Sequence, residues 1–378
     1  MKSLFKKILI ATLFLLVFSL WGCKEEIGTE GLVYELIEDQ SEYAVVGYTG
    51  DSFEVIIPST YNSIPVTEIR YTTFSGNGTI NLYITGLTLP DSITSIEENA
   101  LGVLTSLSEL RVPKKIEDVG SALTWILTRV SLTIPKGHLY LKETKIDGYK
   151  AITSKDGSRL VWIENPSEEN ITITIPDNIV IIDDYAMLST DFGGIVLPKT
   201  LEEVGIGAFY DTPNTTINIP AGIKIIQGAA FAFSSFVGEL VLPEGLEEVG
   251  GNAFGSNQLT GIVFPSTITS LARGIFGNHP NIINKNCVTR VEFKTRDFLP
   301  VDELADYFVW FFSLNYRYAY YLNHTSPDIK IEIVFSMSAE DNAIMDEAFW
   351  IGHAVEAIDS DTVGGFEGYY FATTSIDN

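Results

Sequence analysis

Residues 195–209 read IVLPKTLEEVGIGAF, and the same frame returns three times in succession: INIPAGIKIIQGAAF over 217–231, LVLPEGLEEVGGNAF over 240–254 and IVFPSTITSLARGIF over 262–276. The prolines of these stretches, Pro198, Pro220, Pro243 and Pro265, continue a series that begins with Pro58, Pro90, Pro113, Pro135 and Pro176. Six of the eight gaps are 22 or 23 residues, and the other two, 32 and 41, leave room for insertions. A regular period of this length marks a solenoid, in which each coil buries its apolar side only by stacking on its neighbours.

The frame around the proline defines the coil. Three residues before it stand Val55, Leu87, Leu110, Leu132, Ile173, Ile195, Ile217, Leu240 and Ile262, and one before it stand Ile57, Leu89, Val112, Ile134, Ile175, Leu197, Ile219, Leu242 and Phe264. Between them lies a mixed set: Ile56, Thr88, Arg111, Thr133, Thr174, Val196, Asn218, Val241 and Val263. Period-two alternation rich in β-branched residues predicts a strand with one buried face. Proline has no N–H and a fixed φ, so it ends that strand.

Three and six residues after the proline comes a second apolar pair, Leu201 with Val204, Ile223 with Ile226, Leu246 with Val249 and Ile268 with Leu271. A spacing of three does not suit simple alternation and predicts a short bent segment with both side chains inward. Gly205 and Gly250 then permit a tight turn. The Ala208–Phe209 and Ala253–Phe254 pairs close the coil, the alanine allowing close approach and the phenylalanine stacking on the ring of the next coil. With strands stacked about 4.8 Å apart, nine or ten coils make a mainly β rod roughly 45 Å long, with two parallel sheets over one continuous core.

Some coils depart from the frame. Pro58 is followed by five extra residues before Val66, Ile69 and Phe74 resume it, and the coil at Pro113 has Leu123 and Trp125 near the place of its phenylalanine. After Pro135, His138 and Leu141 fit poorly, and residues 137–170 read as an insertion carrying a hairpin turned at Asp156–Gly157.

This frame resembles the BspA-like class of bacterial leucine-rich repeats, whose consensus runs roughly L-x-x-I-x-I-P-x-x-V-x-x-I-G-x-x-A-F. The match covers about Ser52 to Gly277 and is most specific from Pro198 to Pro265. The opening YAVVGYTGDSFEVIIPSTYNSIPVTEI resembles that family's first unit, and the hairpin resembles an insertion common in it. The chain lacks the cysteine that often follows the family's Ala–Phe pair. The resemblance implies a cell-surface or secreted protein; some members bind host matrix proteins or other microbes.

The N-terminus agrees with that address. Lys2, Lys6 and Lys7 precede an apolar run from Ile8 to Trp21, the layout of a secretory signal. It ends in Leu20-Trp21-Gly22-Cys23, which resembles a bacterial lipobox with Cys23 as the lipid attachment site. A simple N-terminal anchor or a signal cut elsewhere is the alternative, although 14 residues is short for a membrane-spanning helix. Cleavage before Cys23 removes three lysines and no acid, taking the formal charge from −25 to −28. Such a surface repels nucleic acid and suits solubility or a basic partner. With Cys23 lipidated, Cys287 is the only remaining thiol, which excludes an intramolecular disulfide.

The C-terminal stretch changes composition after the polar GNHPNIINKNC. VTRVEFKT, IKIEIVFS and AVEAIDS read as strands, and VDELADYFVWFF and SAEDNAIMDEAFWIG as helices with acidic first turns, giving a small α/β cap or module. Aromatic residues from Tyr307 to Tyr321 read either as a sugar- or peptide-binding patch or as a core helix and buried strand. The expected division is therefore a signal peptide over 1–22, a tether over 23–30, the solenoid over 31–283 and the α/β module over 284–378.

No catalytic chemistry emerges from the motifs. His138, His279, His324 and His353 have no metal-binding spacing, and no nucleophile elbow, phosphate loop or dinucleotide glycine pattern follows a strand. Glu356, Asp359 and Asp361 lack the spacing of a calcium loop. The paired carboxylates Glu202-Glu203 and Glu247-Glu248 recur at one coil position and read as a solvated turn. The expectation is thus a non-enzymatic surface lipoprotein without cofactor or metal, held to a membrane by its lipid, whose array binds a protein or glycan. Arg111, Thr133, Thr174 and Asn218, at the variable strand position, are its candidate contact residues, or else ordinary exposed side chains. A structural envelope scaffold and a stalk presenting a C-terminal module are the alternatives.

Overall fold

The residues before each proline pair in parallel, one coil on the next. In a computed structural model, which describes residues 27–37, 41–75, 83–123, 126–166, 170–212, 216–272, 274–276, 290–294, 331–337 and 369–375, Glu54–Ile56 pairs with Gly86–Thr88 and Glu109–Arg111 with Ser131–Thr133. Thr172–Thr174 pairs with Gly194–Val196 and that with Thr216–Ile217, while Val237–Val241 pairs with Gln258–Phe264. These strands make up the first side of a β-solenoid. The second side is a ladder of two-residue parallel strands, Ile181–Ile182, Glu203–Val204, Ile225–Ile226, Glu248–Val249 and Ser270–Leu271.

The pair spaced by three now has a physical account. The sixth residue after the proline lies in the short strand in every such coil but that of Pro113; the third lies in the turn before it, where its N–H donates to the proline carbonyl. Ile93, Ile116, Ile179, Leu201, Ile223 and Leu246 all do this, at 3.0–3.4 Å. Both side chains point inward and are buried, except that Ile96 is only partly so. Above them the rings stack: Phe209 on Phe231 at 5.1 Å and 1°, and Phe231 on Phe254 at 5.8 Å and 7°.

The closing turn carries a second ladder. Two residues before and two after the ring position have positive φ: Gly207 and Asp211, Ala229 and Phe233, Asn252 and Ser256. Alternate amides then point along the solenoid axis, so that Gly207, Phe209 and Asp211 donate to the carbonyls of Gly228, Ala230 and Ala232 one coil on. Three residues after the ring position a polar side chain is buried in four successive coils: Thr190, Thr212, Ser234 and Asn257. Each binds backbone carbonyls that the turn would leave orphaned, as Thr212 Oγ1 does with Phe209 O at 2.9 Å. This polar ladder has the repeat's own period, but a frame built on apolar positions alone passes over it.

The irregular coils keep the same backbone logic. The extra residues after Pro58 form a tight hairpin, Thr60–Tyr61 against the start of Ile64–Ile69, turned by Asn62 and Ser63 at positive φ, as a two-residue hairpin of this hand requires. Leu123 is buried at the end of a single helical turn, Gly120–Leu123; Trp125 lies outside the described residues.

His138 fits better than its polarity suggests. Its N–H donates to Pro135 O at 3.1 Å, as in the other coils, and its ring, 1% exposed, occupies the inward position of Leu201. Imidazole Nδ1 accepts the N–H groups of Tyr140 (3.3 Å) and Leu141 (3.1 Å), as an asparagine would at the head of a turn. Burial holds the imidazolium form back and lowers the pKa below the ordinary value of 6.5. The neutral ring is therefore the folded form, and stability falls as pH drops below 6.5, where the unfolded chain takes up a proton that the folded chain refuses. His138→Asn keeps the turn acceptor and removes the titration. Urea midpoints are expected to diverge below about pH 6.5, the wild type losing at most about 1.4 kcal/mol per pH unit relative to the variant. Parallel pH profiles would rule this account out.

The insertion is a three-stranded antiparallel meander, one strand more than the hairpin expected: Leu141–Ile146, Tyr149–Ser154 and Arg159–Ile163. Its last strand joins the second ladder in parallel, Leu160 facing Ile182. Both faces of the meander are covered. Ala151, Leu160 and Ile163 belong to the core of the later coils, whereas Ile152, Val161 and Trp162 belong to that of the earlier ones. The meander is thus a partition between two cores, and the expected single continuous core is in fact two.

Past Phe276, two of the expected strands form, as Arg290–Phe293 and Ile331–Met337; both, followed by Tyr369–Ser375, extend the first side of the solenoid in parallel. AVEAIDS and the two expected helices lie outside the described residues. Parallel neighbours need long crossover connections, which the intervening chain lengths supply.

Candidate binding face

The inward-outward alternation of the first side leaves all but one of the middle residues exposed on its outer surface. Ile56, Thr88, Arg111, Thr133, Thr174, Val196, Asn218 and Val241 are all exposed; Val263 alone is buried. The four candidate residues divide into two groups. Arg111 and Thr133 face each other across one rung. Thr174 pairs with Val196, and Asn218 follows Ile217 on the next rung. Ladder pairing stops between Ser131–Thr133 and Thr172–Thr174, at the place of the meander, so the two groups are not one array. Arg111 is also committed: Asp91 binds it at 2.9 Å and Lys114 at 2.9 Å, and the two cations draw the carboxyl below its usual range despite some burial. At Thr174 the backbone N–H donates to Asp147 in the meander's first turn, at 2.7 Å.

The later group is the more available surface. Val196 and Val241, 50% and 60% exposed, flank Asn218 on consecutive coils. Gly194, beneath Val196, adds no side chain, so this part of the face is flat and mixed in polarity. Flat recognition of a partner suits it; enclosure of a small substrate does not.

On the other side of the solenoid Asp118, Arg159, Asp183, Asp184 and Glu203 line an open groove. It forms because the meander strand brings Arg159 beside Ile181, and the turns then carry Asp183 and Asp184 next to it. Arg159 holds Asp183 through Nε at 3.0 Å and Nη2 at 2.8 Å, and Glu117 through Nη1 at 2.9 Å. Burial raises the Asp183 carboxyl above 3.8; Arg159 opposes this, while Asp184 and Asp118 add to it. Asp184 is raised too, by burial and then by Asp118, Glu203 and Glu98. Glu203, expected in a merely solvated turn, contributes to this field. Among the described residues no group of three or more His, Cys, Asp or Glu is arranged to hold a metal ion.

Cys23, Cys287, His279, His324, His353 and the aromatic run at 307–321 lie outside the described residues. Among those described, no helix is long and apolar enough to cross a membrane.

A solenoid of coils about 22 residues apart, closed by stacked phenylalanines and bearing an exposed ladder of unlike side chains, is the architecture of a leucine-rich-repeat protein. Residues 53–144 and 167–283 match the BspA type leucine rich repeat region in six copies, and the chain belongs to that family. The unmatched residues between the two blocks, 145–166, take in most of the meander. Among solved structures the chain is similar to the pneumococcal vaccine antigen PcpA (16% identity, TM-score 0.48, 83% of this chain and 70% of that one). It is also similar to a leucine rich cell surface protein from Faecalibacterium prausnitzii (18%, 0.41, 72% and 96%) and to a leucine-rich repeat protein from Bacteroides ovatus (18%, 0.40, 71% and 71%). Among curated proteins none matches the chain.

Proposed function

We propose that this chain is a non-enzymatic lipoprotein of the bacterial cell envelope, displayed at the surface, whose repeat array binds an extracellular protein or glycan. The observation that carries the reading is the run of exposed middle residues Thr174, Val196, Asn218 and Val241 on four consecutive coils of a well-packed scaffold. The family supports a binding or scaffold role, and the signal-like N-terminus ending at Cys23 supports export and lipid attachment. The strong negative charge argues against nucleic acid as the partner. Residues 284–378 form a module of their own in this reading, joined to the solenoid through its first side.

Two experiments test it. Brief protease treatment of intact cells removes the repeats if they are displayed and spares them if they face the periplasm. The mature chain is then screened against matrix proteins, mucins and envelope glycans. With a partner in hand, Val196→Glu together with Asn218→Glu is expected to weaken binding about tenfold or more, worth about 1.4 kcal/mol, with the urea midpoint unchanged. Ser270→Glu, on the opposite ladder, is expected to leave binding intact. A chain that binds nothing above background sinks the proposal.

A further inference from the structure

Exposed apolar side chains are not spread evenly along the rod. Of the fourteen large ones among the described residues, eight lie between Ile27 and Tyr83, so the surplus sits at the N-terminal end. Four of them surround the first strand of the first side. Ile56 stands in that strand, and Phe53, 57% exposed, precedes it. Tyr83, 59% exposed, enters the second strand, where Thr85 and Gly86 donate to Phe53 O at 2.9 and 3.1 Å. Ile27 lies two residues before Thr29, which is bound to this strand: Thr29 N–H donates to Ile56 O at 2.9 Å and Thr29 Oγ1 accepts from Ile56 N–H at 2.7 Å.

The same hydrogen bonds fix where the chain leaves the body: at the first coil, on this patch. Only residues 24–26 separate Cys23 from Ile27, and the four residue steps from Cys23 to Ile27 span at most about 14 Å when fully extended. A lipid on Cys23 therefore brings this end, and no other, to the bilayer surface. Clustered exposed apolar groups mark an interaction surface, and phenylalanine and tyrosine suit the headgroup layer, where an apolar body meets a polar rim.

We infer that Ile27, Phe53, Ile56 and Tyr83 form a lipid-contact surface that seats the first coil on the membrane and stands the rod outward from it. The inference rests on the lipid-anchor reading. The charge of this end narrows the lipid class. Glu30, Asp51 and Glu54, close in sequence to Thr29, Phe53 and Ile56, are exposed, which favours zwitterionic headgroups and disfavours anionic ones. Seven proline periods separate Phe53 from Val237, roughly 34 Å at the strand spacing, so Val237 stands clear of the lipid.

The test uses the mature, acylated chain with Cys287→Ser, reconstituted in phosphatidylcholine vesicles. An environment-sensitive dye is attached at Phe53→Cys, Tyr83→Cys or Val237→Cys, and quenching by a lipid-borne quencher is measured. The dye at positions 53 and 83 is expected to lose emission, with the one at 237 unaffected, and the loss is expected to shrink when phosphatidylglycerol is added. Equal, weak quenching at all three positions, with acyl chains on the N-terminal peptide by mass spectrometry, overturns the contact surface while leaving the anchor standing. An N-terminal peptide without acyl chains, together with no quenching, overturns both.

Discussion

Replacing Asn257 with alanine is expected to cost about 4 kcal/mol, seen as a lowered urea midpoint by far-UV circular dichroism. Asn257 is buried and serves five backbone groups. Its Oδ1 accepts from Ser234 N–H at 3.0 Å and Phe236 N–H at 3.1 Å, while its Nδ2 faces the carbonyls of Phe231, Phe254 and Gly255 at 2.8, 2.9 and 3.2 Å. Alanine leaves two amides and two carbonyls to be satisfied by a turn that no longer reaches them, since Gly255 O also accepts from Phe233 N–H at 2.9 Å, and each buried orphan costs about 1–3 kcal/mol, incompletely additive. The loss also frees Phe236, whose ring stands edge-on to Phe231 at 5.5 Å and Phe254 at 5.9 Å, across the stacked column. Asn257→Thr should fall between the two, because threonine at the same coil position in Thr190 and Thr212 serves its own turn's carbonyl and no amide of the preceding coil. A variant Asn257→Ala as stable as wild type would show that water replaces the side chain and that the polar ladder contributes little.

That ladder also shows what was legible in the chain and what was not. The pre-proline alternation, the inward pairs and the ring column were all readable, because each is an apolar position repeated at one period and a solenoid core is the sum of such positions. His138 was misread for the same reason: its place in the frame is set by the backbone bond to Pro135, which is blind to side-chain polarity. The strand RLVWI at 159–163 is apolar from Leu160 onward, and a run without alternation does not declare that it has two buried faces. Hence the partition between two cores stayed hidden. Of the candidate contact residues, the variable strand position was legible as a period, but the interruption separating Thr133 from Thr174 depends on where the meander folds back. The acidic groove was out of reach altogether, since Asp118, Arg159, Asp183 and Glu203 come from coils whose alignment is decided by that same fold.

The groove supplies the second large effect, and its sign depends on pH. Arg159→Met keeps much of the aliphatic packing and removes the guanidinium that holds Asp183 and Glu117. Asp183 is then left mostly buried beside Asp184 and Asp118. Removing one partner of a fully buried pair costs about 3–5 kcal/mol; here Arg159 is a third exposed, and about 2–3 kcal/mol is expected at neutral pH. The folded-state pKa of Asp183 already lies above its ordinary value of 3.8, and loss of the cation raises it further. A carboxyl raised in the fold favours the folded state fully below its unfolded pKa, and that contribution is lost as pH rises through the folded value. The penalty in Arg159→Met should therefore be greatest at neutral pH and shrink as the solution is acidified toward 3.8. His138 titrates identically in both proteins and cancels from the difference. Urea midpoints of wild type and variant, measured from about pH 8 down to pH 4.5, are expected to converge. A gap that stays constant would mean that Arg159 acts by packing alone, and one that widens in acid would mean that Asp183 is ionised and stabilised by something other than Arg159.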